Sequence, residues 1–151
     1  LATESTARSE RLARLIRDHA DGVDVLVEPC PGWATRVESR DLQTPEFVAE
    51  VRLKMQRLLD AGADQLVLGC THYSFLTPLL APLVAGRAQL VDVAEAVARQ
   101  AQRLAGASAQ GQGRLLLQAT ARPEQLHASL AGLGLGWLAE RCRGEELLAR
   151  V

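Results

Sequence analysis

The sequence is short of lysine, aromatic residues and paired cysteines, and it has no long apolar run. Lys54 is its single lysine, and every other basic residue is arginine. That skew reads as coding bias, because the arginines are scattered and no basic block stands out. With a formal net charge of −1 the chain shows no polyanion-binding face, so no nucleic-acid partner is expected. Phe, Trp and Tyr make up only 3% of residues, so Ala, Leu and Val must supply most of the core. No apolar stretch approaches the ~20 residues of a membrane helix, so no membrane partner is expected. Cys30, Cys70 and Cys142 are odd in number and far apart. That disfavours a disulfide framework and points to a reducing cytoplasm. The first residues run straight into a helical pattern and read as carrying no signal peptide.

The 151 residues are enough for one ordinary core, and the 48% hydrophobic and 23% charged fractions are those of a soluble globular domain. Thr3 to His19 reads as one helix, with Thr3, Ser5 and Thr6 as cap candidates and Leu12, Leu15, Ile16 and His19 on one face. Val23 to Val27, a β-branched run ended by Pro29 and Pro31, reads as a strand. Thr44-Pro45-Glu46 is a strong helix start, with the helix running to about Leu59 and stopping near Gly62. Gln65 to Leu68 reads as a second strand, Leu76 to Val84 as a short helix broken by Pro82, Gln89 to Asp92 as a third strand, and Ala94 to Leu104 as a long helix. Gly106 to Gly113 has loop composition. Arg114 to Ala119 reads as a fourth strand and Pro123 to Leu133 as a helix. Strands alternating with helices predict an α/β fold, a parallel sheet flanked by helices.

The chemistry concentrates at Gly69-Cys70-Thr71-His72-Tyr73, directly after the apolar Leu66-Val67-Leu68. In open α/β sheets ligands bind beyond the carboxyl ends of the strands, which is where this run falls. Gly69 permits close backbone approach, and Thr71 offers a hydroxyl and an N–H. His72 shares a face with Cys70 if the backbone stays extended. A thiol near its ordinary pKa of ~8.5 is a poor base at neutral pH unless its thiolate is stabilised, by imidazolium, amides or a helix N-terminus. The helix expected at Leu76 is one source of such a terminus. A lone strand-end cysteine is also a common inert core residue, and Cys30 reads that way. A Cys-x-His pair is a partial metal site, but no second ligand pair stands at metal spacing, so no metal is expected. On their own Thr3 and Thr6 read as helix caps and Glu38 as an exposed loop acid. His19 and His127 fall on helices.

The run Gly-Cys-Thr-His-Tyr resembles the second cysteine motif of glutamate racemases, in the aspartate/glutamate racemase superfamily. Three further features match: the Thr3-x-x-Thr6 turn with Ser9, Cys30-Pro31 through Val37-Glu38, and Val91-Asp92 followed by a helix. Ser74 stands where the family usually has proline, and Gly32, Ala34, Thr35 and Arg36 are smaller or more polar than usual there. The family's first domain, with its Asp-Ser start and its own Cys-Asn-Thr, has no match.

The resemblance implies one half of a two-domain racemase-type fold. Residues 1–100 would form the second α/β domain. Residues 101–151 would be a strand-helix segment that packs back on the first domain. It implies a cofactor-independent isomerase that interconverts L- and D-glutamate and so supplies D-glutamate for peptidoglycan. By the resemblance, two cysteines would act on opposite faces of Cα, and Cys70 would be one of them. His72 would assist the protonation of Cys70, with Glu38 tuning His72. Thr71, His72, Thr3 and Thr6 would hold substrate. A homo-oligomer is expected, and the missing domain is required to complete the site, so the isolated chain is expected to be inactive. The alternatives are a racemase for aspartate or another amino acid, which His72 disfavours, and a truncated, non-catalytic racemase-like binding domain. A thiol-dependent transferase or hydrolase lacks the expected nucleophile-elbow glycines.

Overall fold

The computed structural model describes residues 1–106, 117–119, 121–142 and 148–149. The chain divides into two compact units, Leu1–Gln100 and Ala101–Val151.

In the first unit the expected N-terminal helix is two helices, α1 (Glu4–Ala7) and α2 (Glu10–His19). The break has a local cause. Thr3 Oγ1 accepts from the Thr6 amide and caps α1, while Ser9 Oγ accepts from the Leu12 amide and starts α2. Each cap satisfies an N–H that a helix start leaves open.

Val23 to Val27 is not a strand. Only one isolated parallel bridge, Ala2 to Pro29, forms beside it. Val23, Val25, Leu26 and Val27 are between 39% and 65% exposed. β-Branched residues favour a sheet only when a neighbouring ladder takes up their backbone groups, and here the pairing begins beyond the run, at Glu28 and Cys30.

Residues Cys30 to Glu38 contain a helix that the sequence reading did not predict, α3 (Trp33–Ser39). Trp33 and Val37, one turn apart, are its buried face. Helix α4 (Pro45–Asp60) starts as expected, with Thr44 capping and Pro45 in the first turn, and buries Phe47, Val51, Met55, Leu58 and Leu59. Next come β1 (Gln65–Leu68), a 3₁₀ turn (Thr71–Leu76), α5 (Thr77–Val84), β2 (Gln89–Asp92) and α6 (Ala94–Ala105). Pro82 sits inside α5 and does not break it. The one amide it removes lies in the last turns of a short helix, where the lost bond disturbs little downstream.

Strands β1 and β2 pair in parallel, Leu66 opposite Leu90 and Leu68 opposite Asp92. Helix α5 joins them as a crossover and packs on both α4 and β2. Leu66 and Leu68 point into the core while Gln65 and Val67 face outward.

In the second unit β3 (Gln118–Ala119) pairs in parallel with β4 (Leu148–Ala149). Helices α7 (Pro123–Gly132) and α8 (Gly136–Arg141) pack on each other. Most of the loop expected at Gly106 to Gly113, and the first part of the strand expected at Arg114 to Ala119, lie outside the described residues. The α/β class with parallel strands flanked by helices is what the sequence predicts, but the described strands form two separate two-stranded sheets. Among the described residues no helix is long and apolar enough to cross a membrane.

The floor of the first unit is aromatic despite the scarcity of aromatics. Trp33 meets Phe47 at 5.8 Å and Tyr73 at 5.6 Å, both edge-on. The Tyr73 hydroxyl donates to the Cys30 carbonyl at 3.2 Å. Burial pushes the Cys30 thiol from near 9.0 up to about 11, and burial pushes the Tyr73 phenol up as well. Both groups ionise more readily in the unfolded chain. The Cys30 contribution is therefore complete below pH about 9 and is lost as the pH rises towards about 11, while that of Tyr73 falls away only at higher pH. Cys30→Ala is expected to flatten this alkaline fall in stability, read as denaturation midpoints across that range. An unchanged slope would contradict it.

Candidate active site

Three segments meet at the carboxyl end of β1. The backbone at Leu1–Ala2 lies between β1 and Glu28–Cys30. The Gly69 amide donates to the Leu1 carbonyl, the Ala2 amide to the Glu28 carbonyl, and the Cys30 amide to the Ala2 carbonyl. This register brings Thr3 and Pro31 to the same sheet end as Cys70. Gly69 is required there, because a Cβ on it would stand 2.8 Å from the Leu1 carbonyl oxygen. That oxygen is backbone and cannot rotate away. Gly69→Ala is expected to cost about 1–3 kcal/mol, checked by thermal denaturation. A neutral substitution would mean that the strands separate freely.

Cys70 keeps an extended backbone (φ −142°, ψ 137°), and the 3₁₀ turn starts at Thr71. The expected extended path from Cys70 to His72 is therefore replaced by a tight turn, which brings the two side chains together by a different route. His72 Nδ1 stands 3.8 Å from Cys70 Sγ, and His72 Nε2 stands 3.0 Å from Glu38 Oε1 on α3. The nearest helical start is that of the 3₁₀ turn itself, since α5 begins only at Thr77.

The chemistry follows from which nitrogen carries the proton. A carboxylate only accepts, so Glu38 holds a hydrogen on Nε2. The lone pair of neutral Nδ1 then faces the sulfur and can take its proton, leaving a thiolate beside an imidazolium. Of the three free cysteines, Cys30 and Cys142 are buried and Cys70 is half-exposed. His72 is 33% and Glu38 69% exposed, so the chain of contacts opens to solvent.

The structure brings Cys70, His72 and Glu38 into contact. Thr71, next to the thiol, is exposed. Thr3 and Thr6 are both half-exposed, and the Thr3 hydroxyl donates to that of Thr6 at 2.9 Å while capping α1. Thr3 caps α1, Thr6 lies within that helix as its hydrogen-bond partner, and no hydrogen bond joins either hydroxyl to Cys70. Sequence reasoning missed Ser74 and Asp92 as part of this edge. The Ser74 hydroxyl donates to Asp92 Oδ1 at 2.9 Å. The position of Asp92 at the carboxyl end of β2 was the available signal. Among the described residues no group of three or more His, Cys, Asp or Glu is placed to hold a metal ion.

No family model matches the chain. Curated proteins do. A glutamate racemase of Pseudomonas putida is 44% identical over 108 residues, covering 72% of this chain and 41% of the relative. One of Pseudomonas aeruginosa is 42% identical over 109 residues, with the same coverage. One of Pseudomonas syringae pv. tomato is 42% identical over 104 residues, 69% of this chain and 38% of the relative. The resemblance is to the C-terminal portion of glutamate racemases. The chain spans about two fifths of the length of the curated relatives it matches. The glutamate racemase likeness thus accounts for most of this chain.

Proposed function

We propose that this chain supplies one of the two acid–base faces of a glutamate racemase. The observation that carries the reading is the contact chain Cys70–His72–Glu38 at the carboxyl end of β1. It occurs in a chain whose curated relatives are glutamate racemases. The Cys70 thiolate removes the Cα proton of L-glutamate, and the thiol returns a proton when L-glutamate forms. His72 takes up and gives back the thiol proton, and Glu38 holds the imidazole in the required tautomer. Thr71 offers its hydroxyl and amide to the substrate beside the thiol. Thr3 and Thr6, at the same sheet end, bind a carboxylate or ammonium group when their mutual hydrogen bond is exchanged for one to substrate.

One thiol serves one face of the carbon. The second acid–base group and the opposite wall come from a domain outside this chain, and the complete enzyme feeds D-glutamate to peptidoglycan synthesis. It needs no cofactor, works in the cytoplasm and assembles as a homo-oligomer. Residues 101–151 pack against the other domain in the complete enzyme.

The test is α-proton exchange of L- and D-glutamate in D₂O, followed by proton NMR. The chain alone should exchange neither enantiomer at an appreciable rate. Joined to the portion of the Pseudomonas putida relative that it does not match, it should exchange and racemise both. A correctly folded joined protein with no exchange would favour the non-catalytic binding domain instead. Exchange of aspartate in preference to glutamate would move the substrate assignment.

A further inference from the structure

The 3₁₀ turn that presents Cys70 and His72 is fastened on three sides. His72 reaches α3 through Glu38, Tyr73 reaches the buried Cys30 carbonyl, and Ser74 reaches Asp92 at the end of β2. The same Asp92 oxygen, Oδ1, also accepts from the Ala94 amide at 2.9 Å, where α6 begins. One carboxylate oxygen therefore ties the turn to both the sheet edge and the helix that follows it. Because β1 and β2 are in register with Leu68 opposite Asp92, the Ser74–Asp92 bond spans the strand gap just beyond Leu68.

We propose that Ser74, acting through Asp92, is a positioning residue for the Cys70–His72 pair. This rests on the reading that His72 controls the protonation of Cys70. The Sγ to Nδ1 separation of 3.8 Å is near the outer limit of a sulfur hydrogen bond, so a small pivot of the turn breaks it. Without the Ser74 clip the turn hinges about the buried Tyr73 ring, and His72 is free to follow Glu38, which lies on the exposed side. The titratable groups around the turn are His72, Glu38 of α3, Tyr73 and Cys30 beneath it, Asp92 of β2, and, facing Cys30, the Leu1 amino group, Glu28 and Lys54 of α4. Ser74→Ala changes the charge of none of them, so its effect on Cys70 reports geometry.

The experiment is the pH profile of Cys70 alkylation by iodoacetamide in the 151-residue chain, read peptide by peptide by mass spectrometry. Ser74→Ala is expected to move the midpoint up by about one pH unit, a roughly tenfold slower reaction at neutral pH. Ser74→Thr, which keeps the hydroxyl, should retain the original profile. His72→Ala is the control for the underlying reading. If it shifts the profile and Ser74→Ala does not, the positioning role is overturned while the Cys70–His72 pair stands. A lower melting temperature for Ser74→Ala with an unmoved profile also overturns it, since that is a merely structural role. If neither variant shifts the profile, the pair itself fails and the proposal falls with it.

Discussion

Cys70→Ala in the joined, complete enzyme is expected to lower α-proton exchange of L-glutamate by on the order of 10³-fold or more. A positioned acid–base group contributes about 10² to 10⁴ to such a proton transfer. Alanine leaves nothing at this position that can accept or return a proton, and Cys30 and Cys142 are buried and cannot substitute. On the proposed mechanism, exchange of D-glutamate should suffer less in a single-turnover experiment, because the opposing group would still stand on its face. Cys70→Ser tests the same point with a hydroxyl, whose far higher pKa prevents it from ionising beside His72. His72→Asn should reduce exchange by less than the loss of Cys70, since the thiol remains and only its partner is gone. The measurement is the loss of the α-proton signal in D₂O, enantiomer by enantiomer. Retention of wild-type exchange by Cys70→Ala would remove this cysteine from the chemistry.

Trp33→Ala is expected to destabilise the first unit by about 3–5 kcal/mol, the range for a fully buried Trp reduced to alanine. For a unit of about this size that corresponds to a fall in melting temperature of roughly 15 °C or more. Trp33 is wholly buried. Its edge-on contacts tie Phe47 of α4 to Tyr73 of the 3₁₀ turn, and its indole N–H donates to Glu50 Oε1 at 2.9 Å. Truncation empties the space under the turn and strips Glu50 of its partner, so both transfer and cavity costs apply. Arg36, which lies over the Phe47 ring at 5.3 Å, cannot refill that space without burying its charge. Thermal denaturation followed by circular dichroism measures the effect. A second readout is alkylation of Cys30, which should become faster once Tyr73 no longer closes over it. A fall of only a few degrees would mean that the aromatic floor collapses without cost.

Much of this was legible in the sequence because it is local. Thr44-Pro45-Glu46 starts α4 through a cap and a preset φ, and neither needs a distant partner. The apolar run Leu66-Val67-Leu68 ends at a glycine, and β1 ends there too. Val23 to Val27 failed for the opposite reason. Its strand propensity is real, but a strand is completed by hydrogen bonds to a neighbour, and the composition of a run does not say whether a neighbour lies alongside. α3 was missed because Trp33 and Val37 are only two apolar positions, too few to show a period.

The sequence by itself determined which groups are available: a thiol, an imidazole and a hydroxyl within three residues, placed after a buried strand. It also determined the resemblance to glutamate racemases, which rests on that order of residues. Only the tertiary structure decided which of these groups touch. Glu38 and His72 are far apart along the chain and meet because α3 packs against the 3₁₀ turn over Trp33 and Tyr73. Ser74 and Asp92 meet because β1 and β2 run parallel with Leu68 opposite Asp92. Residue type fixes what a group can do to a proton. Contacts across the chain depend on packing that folds back over many residues, and they fix where that proton goes.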